Sequence, residues 1–184
     1  MQNIAILEKS QATAEAQQIL GAVEKQLGMI PNIFLTFANS PAVLKGYVQF
    51  SSALATGKLS AQLREQIAVA TAGKNHCDYC ASAHTLLGGK AGVKKEELGL
   101  NLTACSNDPK TASALKFVSE VIGTKGQIEK SSLADLEAAG FSKEEIVEII
   151  GHIGLNIFTN YFNNIANTTI DFPLVETKTS SACC

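Results

Sequence analysis

The chain has 184 residues, 46% hydrophobic and 17% charged, with a formal net charge of −2, a globular composition long enough for one domain with a sizeable buried core. That charge provides no general attraction to nucleic acid or to an anionic membrane. Lys94-Lys95 is followed at once by Glu96-Glu97, which reads as a solvated helix face and not as a basic patch.

Residues 1–9 lack the basic flank and the long apolar run of a signal peptide. The longest apolar region, 146–158, is interrupted by His152 and Asn156 and is too short and too polar to span a bilayer. The expected location is therefore cytoplasmic, and in a reducing compartment the five cysteines are not expected to form a disulfide framework.

Apolar residues recur at three and four almost throughout, and no segment alternates as a strand does. A first helix is expected over 13–27, stopped by Gly28 with Pro31 beyond. Ser40-Pro41 reads as a cap followed by proline at the first helical position, opening a helix with Val43, Leu44, Tyr47 and Phe50 on one side. After a break at Thr56-Gly57-Lys58, Ser60 caps a helix carrying Leu63, Glu65, Ile67 and Val69, which ends near Gly73-Lys74-Asn75. The next begins near Cys77 and runs to about Gly88-Gly89, followed by a short helix around 96–98. Asp108-Pro109 starts a helix through Leu115, Phe117, Val118 and Val121, and Ser132 starts one that Gly140 stops. Ser142 and Glu145 form a capping box for the most apolar helix, 143–166, expected to be central or at a subunit interface. The whole reads as one all-α domain over 1–175 with a polar, disordered tail at 176–184 that makes Cys183 and Cys184 dispensable.

The chemistry concentrates in one string. Cys77 and Cys80 are three apart, so on a helix they share a face and can close a disulfide with little backbone movement. A helix N-terminus favours a thiolate, because unpaired backbone N–H groups point at it. His84 follows Cys80 by four residues and Cys77 by seven, which places its imidazole on the thiol face, where it can take a proton. Glu65 lies on the preceding helix and would orient His84 if the two helices fold back on each other. Other readings use the same residues. Cys77, Cys80 and His84 could be three ligands of a zinc ion with His76 or His152 as the fourth, or the cysteines could be buried and structural. On the last helix, His152, Asn156, Asn160 and Asn163 or Asn164 lie at helical spacing. They would line a polar pocket or form a hydrogen-bonded stripe between helices.

Glu65, then Cys77-x-x-Cys80-x-x-x-His84, resembles the signature of the alkylhydroperoxidase AhpD-like members of the carboxymuconolactone decarboxylase family. Gly28-Met29-Ile30-Pro31-Asn32 with Ser40-Pro41 is similar to the N-terminal part of the peroxidase-related branch. Asn156-Ile157-Phe158-Thr159-Asn160-Tyr161-Phe162-Asn163 with Asp171-Phe172-Pro173 is similar to its C-terminal part. The likeness spans residues 20–173 and departs at Asn164, where relatives often carry a histidine. It implies an all-α fold assembled as a homo-oligomer, commonly a trimer or a dimer of trimers. It further implies reduction of peroxides through the cysteine pair; decarboxylase members generally lack that pair. On this reading Cys80 attacks the peroxide and becomes a sulfenic acid, and Cys77 resolves it to a disulfide. An external dithiol, lipoyl or thioredoxin-like, reduces the pair. His84 is the base and Glu65 supports it. No cofactor or metal is called for, and the partners are a small peroxide and a reductant, not nucleic acid or membrane. The alternatives are a lyase acting on a small lactone and a non-catalytic oligomeric redox sensor.

Overall fold

In a computed structural model, residues 2–178 are described. Among them there are nine α-helices and no strand: α1 (Ala14–Leu27), α2 (Asn32–Phe37), α3 (Pro41–Ala55), α4 (Ala61–Lys74), α5 (Asp78–Lys90), α6 (Lys95–Asn101), α7 (Pro109–Thr124), α8 (Lys130–Ala138) and α9 (Lys143–Ala166), with a 3₁₀ turn at Lys9–Gln11 before α1. The all-α class expected from periodicity is the one observed.

Most ends are set by local chemistry. The side chains of Thr13, Ser40, Ser60, Asp108 and Ser142 each accept a first-turn backbone N–H, at the positions expected to cap α1, α3, α4, α7 and α9 where such expectations were drawn. Glu145 closes the box by accepting the Ser142 N–H at 2.7 Å. Gly28, at φ +79°, ends α1 in the left-handed region that glycine enters without strain.

Three features differ from the sequence reading. α2 carried no signal: six residues are too few for a periodic stripe, and the helix is anchored from outside by the Asp171 carboxylate, which accepts the Asn32 N–H at 2.8 Å. α8 starts at Lys130, because Ser132 does not cap; its hydroxyl instead donates to Glu120 at 2.7 Å. The chain also stays ordered past Glu176, so the expected tail does not begin there. Thr177 is 4% exposed, and its N–H and hydroxyl both donate to Asp78 Oδ1, at 2.9 and 2.7 Å. Residues 179–184, with Cys183 and Cys184, lie outside the described residues.

α4 is the central element. Residues 66–73 are all buried, and α4 packs against α5, α6, α7 and α9. Two apolar clusters lie on either side of it. One gathers Leu20, Ile33, Phe37, Leu44, Ala72, Tyr79 and both motif cysteines. The other gathers Ile67, Leu115, Phe117, Val118, Leu136, Ile149 and Ile153. Burying each such Leu, Ile or Phe contributes roughly 1.5–3 kcal/mol. Two glycines allow the close packing. A Cβ on Gly73 would lie 1.9 Å from the Leu102 carbonyl oxygen, and one on Gly88 would lie 2.7 Å from Leu98 and 3.5 Å from Glu65 Cβ. Gly88 thus lets α5 approach α4 at the level of Glu65. Among the described residues no helix is long and apolar enough to cross a membrane.

Candidate functional site

α4 and α5 are joined by a three-residue corner, Asn75-His76-Cys77. His76 takes a left-handed conformation (φ +53°) that reverses the chain, and Cys77 becomes the N-cap of α5. The corner is clamped from α9: Asn75 Nδ2 donates to Asn160 Oδ1, and Asn164 Nδ2 donates to the Asn75 carbonyl, both at 3.0 Å. Asn164 therefore acts as a brace for the turn that carries Cys77.

Cys77 and Cys80 are reduced, with exposures of 0% and 2%. The Cys80 N–H donates to Cys77 Sγ at 3.3 Å, so the first thiol caps the helix on whose first turn the second one sits. Asn163 Nδ2 donates to Cys80 Sγ at 3.2 Å. The two sulfurs are driven apart in acidity. Burial pushes the Cys80 thiol up, but hydrogen bonds from Cys77 and Asn163, the charge of His84 and the Asn160 amide outweigh it, and its pKa falls from 9.0 to about 7. Asn160 Nδ2 points its weaker hydrogen-bonding pull at the same sulfur without reaching full bonding geometry. Cys77 moves strongly the other way: its proton is held in the hydrogen bond to Cys80, and burial and the Cys80 charge add to this. The thiolate of the pair is thus Cys80.

His84, one turn beyond Cys80, is held by Glu65: Nδ1 lies 2.8 Å from Glu65 Oε2, with side-chain exposures of 22% and 23%. Burial pulls the imidazole down, but the charge and hydrogen bond of Glu65 and the charge of Cys80 raise its pKa on balance. With Nδ1 held at the carboxylate, the imidazolium form is favoured and can pair with the thiolate and donate a proton.

Glu65 and His84 open onto a cavity of about 620 Å³ whose wall is largely apolar, including Val23, Phe34, Val48, Leu87, Leu155 and Phe172. Tyr47 and His152 also line it. The phenol of Tyr47 is raised by burial and by the charges of Cys80 and Glu65. His152 is 6% exposed and its Nε2 has no partner. Burial lowers its pKa, the Arg64 charge lowers it further, and the ring stays neutral. A second depression of about 590 Å³ lies by α6 and the start of α7, away from the thiols. The Glu97 carboxylate at its edge is fully occupied, accepting bonds from Ser106, Asn101 and Asn107.

All four residues singled out from the sequence therefore converge: Cys77 and Cys80 through the helix cap, and Glu65 with His84 beside them. The zinc alternative is not supported, since among the described residues no three His, Cys, Asp or Glu side chains are placed to hold an ion. The contact of Asn163 with sulfur was not read from the sequence. Its signal was the helical spacing of His152, Asn156, Asn160 and Asn163 on an otherwise apolar helix. The pocket and stripe readings of that row prove to be two ends of one feature. His152 and Asn156 line the cavity, whereas Asn160 and Asn163 are buried against the motif.

Residues 41–120 match the model of the carboxymuconolactone decarboxylase family. No curated protein sequence is similar. Among solved structures, the chain is similar to the alkylhydroperoxidase AhpD core of Ralstonia eutropha JMP134, an uncharacterized peroxidase-related protein (22% identity, 92% of each chain, TM-score 0.85). It is also similar to a peroxidase-related protein of Silicibacter sp. TM1040 (20%, 91% of each, 0.80) and to the debrominase Bmp8 (20%, 91% of each, 0.77). Residues 41–120 are thus similar to the carboxymuconolactone decarboxylase family, and the chain as a whole has an AhpD-like fold, as the motif resemblance implied.

Proposed function

We propose that the protein is a thiol-dependent peroxidase of the alkylhydroperoxidase type. One observation carries this reading: the two motif thiols are unequal, with a stabilised thiolate at Cys80, a retained proton at Cys77, and a Glu65-oriented imidazole at a cavity next to them. The Cys80 thiolate attacks one peroxide oxygen. An S–O bond forms, the O–O bond breaks, and His84 delivers its proton to the leaving alkoxide. Cys77 then attacks the sulfenic sulfur, forming the disulfide and releasing water. An external dithiol, lipoyl or thioredoxin-like, restores both thiols by exchange. We take the reaction to run in the cytoplasm, without metal or cofactor.

The acting form is a homo-oligomer, a trimer or hexamer. Val147, Ile150, Phe158, Tyr161 and Ile165 follow one another along α9 at intervals of three, eight, three and four and are 42–68% exposed, apolar surface of the kind that subunit contacts cover. Light scattering at micromolar concentration showing a monomer would remove this part.

The test is steady-state turnover of several peroxides with several dithiols. Cys80→Ser should abolish it, and Cys77→Ser should allow one oxidation and then stop at the sulfenic acid. Turnover that survives both substitutions refutes the thiol mechanism, and lactone decarboxylation surviving both would point to lyase chemistry.

A further inference from the structure

We propose that Asn160 and Asn163 of α9 form an amide cradle that holds the Cys80 sulfur as thiolate and then the oxygen it acquires; this rests on reading Cys80 as the attacking thiol. The two side chains are 0% and 3% exposed. A structural asparagine buried between helices would have both ends of its amide paired. Here each amide is left half-used on the side of the site. Asn163 donates its Nδ2–H to Cys80 Sγ at 3.2 Å and leaves Oδ1 without a partner. Asn160 accepts from Asn75 through Oδ1, which fixes its orientation, and leaves Nδ2 facing the Cys80 sulfur short of a full hydrogen bond. Two orphaned polar atoms buried between helices are costly.

The free donor has a use once the sulfur reacts. Attack places a new oxygen on Sγ, the peroxide O–O bond breaks, and the alkoxide leaves with the His84 proton. The new oxygen is the hydroxyl oxygen of the sulfenic acid, an acceptor of hydrogen bonds that becomes a stronger one if the acid ionises to sulfenate. Asn160 Nδ2–H is the unoccupied donor there, while Asn163 continues to hold the sulfur. A donor already fixed in place can bond that oxygen, and its charge once the acid ionises to sulfenate, without reorganisation. The cradle also explains a preference that helix position alone leaves open: the amides reach Cys80, not Cys77, and so select which sulfur is the nucleophile.

Other groups face Cys80 as well. Cys77 and Asp78 come from the turn opening α5, and Tyr79 and His84 from α5 itself. Glu65 faces it from α4, Tyr47 from α3, and His152 stands on α9 toward His84. All remain in an Asn163 variant, so the amide is read separately. The measurement is iodoacetamide alkylation of Cys80 against pH in the full chain, followed by peptide mass spectrometry, for the parent, Asn163→Leu and Asn163→Ala; the smaller variant adds no clash if leucine fails to fold. Loss of a hydrogen bond to a charged group should leave about tenfold less thiolate below the midpoint. Change of less than about twofold in both variants overturns the thiolate role. In the Cys77→Ser background, dimedone trapping after one equivalent of peroxide should show a Cys80 sulfenic state, and further equivalents of peroxide should overoxidise it several-fold faster once Asn160→Ala is added. Equal lifetimes overturn the oxygen role. Alkylation needs no peroxide, so a parent without turnover but with the Asn163 effect sinks the peroxidase reading and keeps the cradle; turnover with unaltered alkylation does the reverse.

Discussion

Replacing His84 by glutamine separates two jobs that the imidazole performs. With a pKa of about 7 instead of 9.0, Cys80 is about half thiolate at pH 7, against about 1% for an unperturbed thiol, a factor of about fifty. His84 supplies only part of that shift, since the bonds from Cys77 and Asn163 rank above its charge. Alkylation of Cys80 at pH 7 should therefore slow by clearly less than about fiftyfold. Peroxide turnover loses the same thiolate fraction and also the proton for the leaving alkoxide, so it should fall by roughly 10²- to 10⁴-fold. The sign with pH follows from both groups. The ion pair exists above the lowered pKa of Cys80 and below the raised pKa of His84. At alkaline pH the thiol ionises unaided, so alkylation of the variant should approach that of the parent. Turnover should recover only the thiolate part of its loss. The assay is the pH profile of both rates from pH 5 to about 10, spanning the reference thiol value. A variant that alkylates and turns over like the parent at pH 7 refutes the relay and leaves His84 a structural residue.

Glu65→Gln keeps the His84 contact but not its charge, so turnover should drop by about tenfold, less than for His84→Gln, with both rates measured in the same profile. Gly73→Ala places a Cβ against the Leu102 carbonyl and should lower stability by about 3 kcal/mol in urea unfolding; a neutral result would mean that α4 and α6 do not approach as described. Tyr79→Phe removes the phenol oxygen that accepts the buried Ile33 N–H at 3.1 Å, at a cost of about 1–3 kcal/mol in the same assay. Glu97→Gln tests a pH-linked contribution. Burial would raise this carboxyl, but hydrogen bonds from Ser106, Asn107 and Asn101 hold it below its ordinary value. Its stabilisation is then present above the unfolded pKa, about 4.3, and lost as pH falls through the lower folded value. The parent should exceed the variant by about 2 kcal/mol at pH 7, and the two should converge in acid; a gap that does not depend on pH contradicts this account.

What could be read from the sequence divides by the range of the interaction that produces it. Capping residues, the prolines after Ser40 and Asp108, and the glycines after α1 and α8 act within four residues of themselves, and most helix ends follow from them. The motif row is legible for the same reason, since Cys77, Cys80 and His84 share one helix and its cap and their register is a matter of counting. Glu65 is harder, because its contact needs α4 and α5 to fold back at the right distance. That distance depends on Gly88, whose missing side chain gives no pattern of its own. α2 and the stretch from Asp171 to Thr177 were not legible at all. Each is held by partners far away in the chain: Asn32 by Asp171, Val175 by Ser82 and Thr177 by Asp78.

The asparagines of α9 show why a residue can be visible in a sequence while its use is not. Polar residues spaced by three and four on an apolar helix mark a face that something polar must meet, but the spacing does not say what. The partner is decided by which helix packs there, and α9 meets the corner at Asn75 and the first turn of α5. Because that corner also sets Cys77 as the cap, one packing event places the Cys77 sulfur, braces the turn through Asn160 and Asn164, and brings Asn163 to Cys80. A substitution that moved α9 without touching the motif would therefore weaken all three at once. Asn164→Ala removes one brace, at the Asn75 carbonyl, and leaves every motif atom in place. It should raise the alkylation midpoint of Cys80 slightly, by about twofold in thiolate, while Glu65→Gln and His84→Gln keep their separate effects in its background. If the Asn164 variant is identical to the parent in that measurement, the corner is rigid without its brace, and α9 acts on the sulfur through Asn160 and Asn163 alone.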